Sequence, residues 1–400
     1  MKIKSFTLGI AMTLLAILTY AQSNDSGRVL LAGKRKAGHK SQVNEQVSRI
    51  VPKITMDSCF KIDISNDGKE RQFPFVYKFG KNIFVSYSEH PDAAIGSPVD
   101  AMMISRDNGK TWPEKITHPD FYMTSMIKKD GILYGMVYFT YPDSPTKERM
   151  VYWTSGDEGK SWVKHNGIVN ASENKQFKTT AGIWGSILFH RGMKVMDDGS
   201  ITGVMYGNYD GDEKYRVLWV KSNDNCATWQ IVSTIASGIP VDSFNHAEGY
   251  CEPAFTKTRD GSILCVMRIG SYLPLYQSRS YDNGATWSKP VVLPGLVGKS
   301  LESVDPDLVL MKNGILALTY GRPRTRIAFS EDGCGYHWNF SMDTYTKETT
   351  GYSGIVETGK DSLLLISDQG RTGAKEMAIW GRFIHVNPGP SGVTDDPTNK

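Results

Sequence analysis

The sequence is poor in cysteine, nearly neutral in charge and almost free of long apolar runs. It has five cysteines in 400 residues, with no CxxC pair and no Cys/His cluster. This excludes a dense disulfide framework and gives no zinc signature. We expect mostly free, buried thiols, with at most one disulfide. The formal net charge of +4 is too small to steer a polyanion, so nucleic acid is not an expected partner.

The one conspicuous apolar run lies near the N-terminus. Lys2 and Lys4 precede apolar residues 6–18, and the small-residue sequence TYAQ follows at 19–22. This order is typical of a secretory signal peptide, and it predicts residues 1–21 as a leader cleaved after Ala21. The run is shorter than the roughly 20 residues that a membrane-spanning helix needs. We therefore expect a secreted or periplasmic protein without membrane insertion.

Helical periodicity is also almost absent, and an octapeptide recurs instead. The copies are SRDNGKTW (105–112), SGDEGKSW (155–162), SNDNCATW (222–229), SYDNGATW (280–287) and the longer SEDGCGYHW (330–338). Each copy follows a Gly, Asn or Asp turn between β-rich runs, such as RDGSI at 259–263, which is a hairpin signal. Each repeat therefore predicts four antiparallel strands.

Repeats of this length and content predict an all-β fold, a six-bladed β-propeller of four-stranded antiparallel blades. We place the propeller at residues 45–386, with a sixth blade that lacks the octapeptide. Residues 45–65 are expected to supply a closing strand to that last blade. Residues 22–44 are expected to be a flexible N-terminal segment, and residues 387–400 a disordered tail.

The octapeptide itself is predicted to be scaffold. Its Ser and Asp suit turn hydrogen bonds, its Gly suits a left-handed backbone, and its Trp buries a large apolar surface. Five copies in equivalent turns cannot all surround one substrate. None continues with the ligand spacing of an EF-hand loop, so no metal is expected.

The candidate site lies where the innermost strands of the blades begin, because these positions converge at one mouth of the central channel. The expected strand starts are Arg71–Pro74, Met126, 182–186, Glu252–Pro253, Asp305–Pro306 and Tyr352–Ser353. This places Arg71, Glu252, Asp305 and Tyr352 as polar groups around one concave site, where a ligand is expected.

The octapeptide, S-x-D-x-G-x-x-W, resembles the Asp-box (BNR repeat) of the sialidase superfamily. CEPAFTKTRDGSILCVMR at 251–268 strengthens the resemblance, which extends over the whole chain after the leader. The resemblance implies a secreted glycoside hydrolase similar to exo-α-sialidases. Such an enzyme removes a terminal sialic acid, or a related acidic sugar, from a glycan by a retaining mechanism without a cofactor.

The resemblance also implies roles for individual residues. Tyr352 would be the nucleophile and Glu252 its base. Asp92 would be the acid/base on a loop, with Asp100 as the alternative. The sugar carboxylate would be bound by Arg71, Arg268 and Arg326, since arginine forms two parallel hydrogen bonds to a carboxylate. Arg322 and Arg324 compete with Arg326 for the third place.

Two other functions fit the same sequence. In one, Asp305 or Glu248 is the working carboxylate of a glycosidase for a sugar without a carboxylate group. In the other, the chain is a non-catalytic glycan-binding propeller, because RQFP at 71–74 departs from the Arg-Ile-Pro strand usual in the family. The oligomeric state and the linkage preference stay open.

Overall fold

The computed structural model describes residues 52–91, 99–180, 185–238, 247–296, 304–370 and 374–387. All of them belong to one compact part of the chain, residues 49–400. The predicted leader, the flexible segment 22–44 and the tail beyond Asn387 lie outside the described residues. Within these ranges the chain forms strands and no helix, and no helix there could span a membrane.

The strands, numbered in chain order, fall into a pair near the N-terminus followed by six units. The pair is β1 (Lys53–Met56) and β2 (Phe60–Ile64). Unit 1 is β3 (Gln72–Phe79), β4 (Asn82–Ser88), β5 (Val99–Ser105) and β6 (Glu114–Pro119). Unit 2 is β7 (Met123–Lys129), β8 (Ile132–Ser144), β9 (Lys147–Ser155) and β10 (Val163–Asn170). Unit 3 is β11 (Ile187–Val195), β12 (Ile201–Gly207), β13 (Arg216–Ser222) and β14 (Thr228–Ala236).

The remaining strands complete three further units. Unit 4 is β15 (Cys251–Lys257), β16 (Ile263–Arg268), β17 (Tyr276–Ser280) and β18 (Val291–Val292). Unit 5 is β19 (Val304–Leu310), β20 (Leu316–Gly321), β21 (Thr325–Ser330) and β22 (Phe340–Tyr345). Unit 6 is β23 (Ser353–Gly359), β24 (Ser362–Gln369) and β25 (Ala378–Asn387).

Each unit is an antiparallel meander whose first strand lies inside. β3, β7, β11, β15, β19 and β23 contact one another in that order, and the ring closes because β23 also contacts β3. Units 2 and 3 form one eight-stranded sheet through the parallel pair β10 and β14. The first strands of the six units therefore form a closed ring.

The expected closing strand is present. β1 pairs with β25 in antiparallel register, from Lys53 opposite Asn387 to Met56 opposite Ile384, and β2 pairs with β25 further along. An N-terminal strand thus becomes the outer edge of unit 6. The innermost strand of unit 2 begins at Met123, three residues before the expected start at Met126.

The octapeptides form the turns between the third and fourth strands of units 1 to 5. In the first copy, Ser105 Oγ donates to Asp107 Oδ1 at 2.8 Å and accepts from the Gly109 amide at 2.9 Å. Asp107 Oδ1 also accepts from the Thr111 amide at 2.9 Å. Trp112 Nε1 donates to the Gly109 carbonyl at 3.2 Å. These contacts confirm that the box is a turn.

The glycines of the boxes pack each unit against the unit before it. Gly284 has a φ of +89°, and a methyl group there would lie 2.2 Å from Nε1 of Trp219 in unit 3. The same relation joins Gly109 to Leu364, Gly159 to Phe84 and Gly335 to Leu264. The first of these joins unit 1 to unit 6. The glycines of these four boxes therefore hold neighbouring units together. All five cysteines are free thiols, and four are buried.

Candidate active site

Three of the inner strands begin with the same distortion. Phe73, Glu252 and Asp305 have positive φ values of 58°, 44° and 46°, and each directly precedes a proline. The pairing of β3, β15 and β19 with the second strand shifts register at these positions. Residues before proline normally adopt extended conformations, so a left-handed backbone there is costly. Such strain persists only where surrounding contacts impose it.

The strained residue of unit 4, Glu252, lies at the centre of a hydrogen-bonded group. Its Oε1 accepts from Tyr352 Oη at 2.6 Å and from the Arg268 guanidinium. Its Oε2 accepts from the Asp305 amide at 3.0 Å. Glu252 is buried, whereas Tyr352 keeps part of its surface exposed. Two residues 100 positions apart are thus joined as a Tyr–Glu pair.

Glu252 and Tyr352 have different charges in the folded protein. Burial alone would raise the pKa of Glu252, but the Arg268 guanidinium and the hydrogen bond from Tyr352 outweigh it and hold the pKa below its ordinary value. Burial, with the Glu252 charge next, raises the pKa of Tyr352 well above its ordinary value. Glu252 is therefore an ionised acceptor, and Tyr352 is a neutral phenol whose proton points at it.

A second arginine adjoins Arg268. Arg268 Nη2 donates to Ser271 Oγ at 3.1 Å and to Glu248 Oε1 at 2.8 Å. Arg322 Nη1 donates to the same Ser271 hydroxyl at 3.1 Å. Arg322 is further held by a hydrogen bond from Nε to the Thr350 carbonyl at 2.6 Å. Ser271 thus joins two guanidinium groups beside Glu252.

The structure does not bring Arg326 into this group. Arg326 Nη1 donates to Asp343 Oδ1 at 2.6 Å, on the outer strand β22, and Arg324 pairs with Oδ2 of the same carboxylate at 3.0 Å. Because Asp343 is on the outermost strand of unit 5, both side chains are drawn away from the inner strand. Of the three candidate arginines, Arg322 is the one that lies beside Arg268.

Arg71 is also placed differently from the prediction. It is buried and lies against three carboxylates, with ion-pair distances of 2.5 Å to Asp63, 3.1 Å to Asp67 and 3.2 Å to Glu89. Phe73, two residues later, takes the inward position of unit 1, and its ring packs edge-on against Tyr352 with centroids 4.7 Å apart. The bulge at Phe73 therefore presents an aromatic ring where the sequence analysis expected Arg71.

Of the two acid/base candidates, only Asp100 can be located, because Asp92 lies outside the described residues. Asp100 is buried, accepts from the Phe121 amide at 3.2 Å and lies 3.1 Å from His90 Nε2. Both of its oxygens thus have structural partners. The acid/base role of Asp92 stays a prediction.

Three residues in or beside the site were not predicted from the sequence, namely Phe73 and, on β11, His190 and Arg191. His190 Nδ1 lies 3.0 Å from the Pro253 carbonyl, and Arg191 pairs with Asp305 and Asp307. No sequence motif marks them. Phe73 could have been found, because Phe-Pro, Glu-Pro and Asp-Pro recur at three inner strand starts. In the described ranges, no group of His, Cys, Asp and Glu could hold a metal ion.

Solved structures with this fold include sialidases. A protein of unknown function from Dyadobacter fermentans has a TM-score of 0.65 at 16% identity, over 84% of this chain and 100% of its own. NanB sialidase from Streptococcus pneumoniae has a TM-score of 0.58 at 14% identity, over 82% of this chain and 70% of its own. Trypanosoma rangeli sialidase, in complex with 2,3-difluorosialic acid as a covalent intermediate, has a TM-score of 0.54 at 13% identity.

These matches are partial and low in sequence identity. This chain aligns over 79% of its length with 54% of the Trypanosoma rangeli sialidase chain, and at such identities the likeness concerns the fold. No curated protein matches the sequence. A family model described as a BNR repeat-like domain matches residues 135–364. This match covers more than half of the sequence, and the chain therefore belongs to the BNR repeat-like domain family, with the fold of the sialidase superfamily.

Proposed function

We propose that the six units are the blades of a six-bladed β-propeller, and that the protein is an exported retaining glycoside hydrolase acting on a terminal acidic sugar, as sialidases do. The observation that carries the proposal is the Tyr352–Glu252 pair, 2.6 Å apart, with Arg268 on the same carboxylate. A phenol aimed at a buried carboxylate is the arrangement of a nucleophile and its base.

The chemistry follows from the charges of the two residues. Tyr352 passes its proton to Glu252 as its phenolic oxygen bonds to the anomeric carbon, and the bond from that carbon to the leaving oxygen breaks. The predicted acid, Asp92, protonates the leaving oxygen. Water then attacks the anomeric carbon, passing a proton to the Asp92 carboxylate, and displaces the Tyr352 oxygen, which recovers its proton from Glu252, so the configuration is retained. A nucleophile that is neutral at rest suits an anomeric carbon that bears a carboxylate.

Arg268 and Arg322 are the proposed cationic side of the sugar site. Both reach Ser271 at 3.1 Å, so a carboxylate that displaces this hydroxyl would find two guanidinium groups. Hydrogen bonds between charged partners are roughly twice as strong as neutral ones. Arg268 is already paired with Glu248, whose side chain is 42% exposed. A substrate carboxylate therefore competes with Glu248.

A test uses the compound bound by the Trypanosoma rangeli enzyme. Incubation with 2,3-difluorosialic acid should add one sugar to the peptide that contains Tyr352, as measured by mass spectrometry. The Tyr352→Phe variant should gain no mass. Label on Tyr138 or Tyr206, whose rings both pack against His190, would contradict the assignment of the nucleophile.

One observation favours a second function. Phe73 occupies the inward position of unit 1, so the site has an aromatic ring where a third cation was expected. This favours a glycosidase of the same fold for a sugar that offers an apolar face there. Turnover of fluorogenic neutral glycosides, with none of α-sialosides, would support it. Saturable glycan binding without turnover of either class would indicate a binding protein.

A further inference from the structure

A buried polar group lies directly behind Glu252. It consists of His190 and Arg191 on β11 and Asp305 and Asp307 on β19. The side chains of His190 and Asp305 are 1% and 0% exposed, so neither can meet a substrate. Their contacts therefore affect how Glu252 is held in place. The position of the protons in this buried group also determines whether Asp305 is charged or neutral.

The tautomer of His190 follows from its neighbours. Nδ1 lies 3.0 Å from the Pro253 carbonyl, which can only accept a hydrogen bond, so Nδ1 carries the proton. Burial lowers the pKa of the His190 ring, and the nearby charges of Arg191 and Arg268 add to the effect, so the ring is neutral and Nε2 is an acceptor. It faces Asp305 Oδ1 at 3.4 Å, and neither of these two buried atoms has a hydrogen-bond partner among the described residues. Two acceptors would not face each other in an apolar interior without a proton between them.

The other oxygen of Asp305, Oδ2, cannot carry the proton. Oδ2 accepts from the Arg191 guanidinium and from the Ser353 amide at 3.3 Å. A proton on Asp305 must therefore sit on Oδ1 and point at His190. We propose that Asp305 is a protonated carboxylic acid that donates to His190, and that this neutral pair positions Glu252 as the one charged carboxylate beside Tyr352.

Glu252 and Asp307 differ from Asp305 because all their partners donate. Asp307 Oδ2 accepts from Arg191 Nη1 at 3.0 Å and from the Ile355 amide at 2.9 Å, and Oδ1 accepts from the Leu308 amide at 2.9 Å. Burial raises the pKa of Asp307, yet only its carboxylate form fits these donors. Of these three carboxyl groups, Asp305 is the one that faces a hydrogen-bond acceptor, Nε2 of His190.

The charge balance agrees with this assignment. With Asp305 neutral, the carboxylates of Glu252 and Asp307 balance the guanidinium groups of Arg268 and Arg191. Burial raises the pKa of Asp305 far above its ordinary value, with Arg191 opposing and Glu252 adding to the shift. Burial also lowers the pKa of His190 to about 4, so its ring is neutral near pH 7.

The titratable groups around the pair come from every inner element. They are Tyr77 on β3, Tyr122 directly before β7, Tyr138 on β8, Tyr206 on β12, Glu252 on β15, Arg268 on β16 and Tyr352 before β23. The tyrosines all have raised pKa values and are neutral. No other acid in this set competes for the proton.

The consequence for Glu252 is positional and rests on the proposed function. The Asp305 amide holds Glu252 Oε2 at 3.0 Å, and the His190 ring holds the carbonyl that follows Glu252. Asp305 and His190 are thus positioning residues. Asp305 is not the working carboxylate of the alternative glycosidase, because it is buried and its proton is committed to His190.

The same substitution at two neighbouring positions tests the protonation state without any substrate. In Asp305→Asn the amide NH₂ replaces the protonated Oδ1 and still donates to His190, so the melting temperature at pH 7 should equal or exceed that of the wild type. In Asp307→Asn the NH₂ faces donors in either orientation, so the melting temperature should fall by several degrees. Equal losses in the two variants would overturn the proposal.

The pH dependence gives an independent readout. Free aspartate has a pKa of roughly 3.9, so above that pH the unfolded chain releases the proton that folded Asp305 keeps. Wild-type stability is therefore lost as the pH rises through this window. Asp305→Asn has no such proton, and its melting temperature relative to the wild type should rise with pH above about 4. A difference independent of pH would contradict the proposal.

Activity measurements separate positioning from catalysis. On any glycoside that the wild type hydrolyses, Asp305→Ala should lower kcat, and Asp305→Asn should rescue most of the loss. If Asp305→Asn were as inactive as the alanine variant while melting like the wild type, an ionised Asp305 would be required and the proposal would fail. A wild type without activity would contradict the proposed function, whereas the melting results would still decide the state of Asp305.

Discussion

Replacing Glu252 with glutamine tests the base and the buried ion pair together. The amide keeps the shape of the carboxylate but loses its charge, and either orientation sets its NH₂ against a donor, Arg268 or the Asp305 amide. Removing one partner of a buried ion pair costs about 3–5 kcal/mol. We expect the lower end, about 3 kcal/mol, because Arg268 keeps its contact with Glu248.

This loss should leave the protein folded, since domains are stable by roughly 5–15 kcal/mol. The melting temperature should fall by at most roughly 6–12 °C, at about 2–4 °C per kcal/mol for domains smaller than this one. Loss of a general base should lower kcat by about 10²- to 10⁴-fold. Thermal unfolding by circular dichroism and steady-state hydrolysis of a fluorogenic α-sialoside measure the two effects.

Asp343→Asn is the matched control. It also removes a carboxylate from arginine pairs, but its side chain is 28% exposed and lies on the outer strand. Exposed pairs contribute only about 0–1 kcal/mol, so both stability and kcat should stay close to the wild type. A Glu252→Gln variant that melts early yet keeps its kcat would refute the catalytic role, because Glu252 would then only neutralise Arg268.

Three further predictions concern the surroundings of the site. Glu248→Gln removes a half-exposed competitor from Arg268, so the KM for an acidic glycoside should fall about two- to fivefold, and a rise would mean that Glu248 contacts the substrate. Arg322→Ala should raise the same KM by about 10-fold or more, whereas Arg326→Ala should change it little, and the reverse order would restore Arg326 to the site. The pKa of Asp107 is lowered to about 2 by hydrogen bonds from the backbone and side chain of Thr111, so its contribution to stability is lost as the pH falls from about 4 towards 2. Asp107→Asn should therefore flatten the acid side of the melting profile at unchanged kcat, and a loss of kcat would contradict the scaffold role of the box.

The repeated turns made most of the fold accessible from the sequence. Each box fixes where the third strand of a unit ends, because Ser, Asp and Gly bond to one another locally. The Tyr352–Glu252 pair was accessible too, since both residues lie at strand starts. Arg322, by contrast, lies in the connection between β20 and β21. The alternation of side chains along a strand therefore cannot predict where the Arg322 side chain points. It also cannot distinguish Arg322, Arg324 and Arg326, because residues two positions apart point to the same face.

The first unit shows how a local backbone feature can correct an expectation based on charge. Arg71 was expected to point inward, and one inserted residue would turn a strand side chain to the other face. Pro74 nevertheless occupies the position of Pro253 and Pro306, and Phe73 has the same positive φ as the residues before those prolines. The backbone of unit 1 therefore has the same bulge as units 4 and 5, and its inward side chain is a phenyl ring. The difference from units 4 and 5 is thus one of chemistry at an equivalent backbone position. Phe73 is therefore the residue whose replacement bears most directly on the choice between an acidic and a neutral sugar.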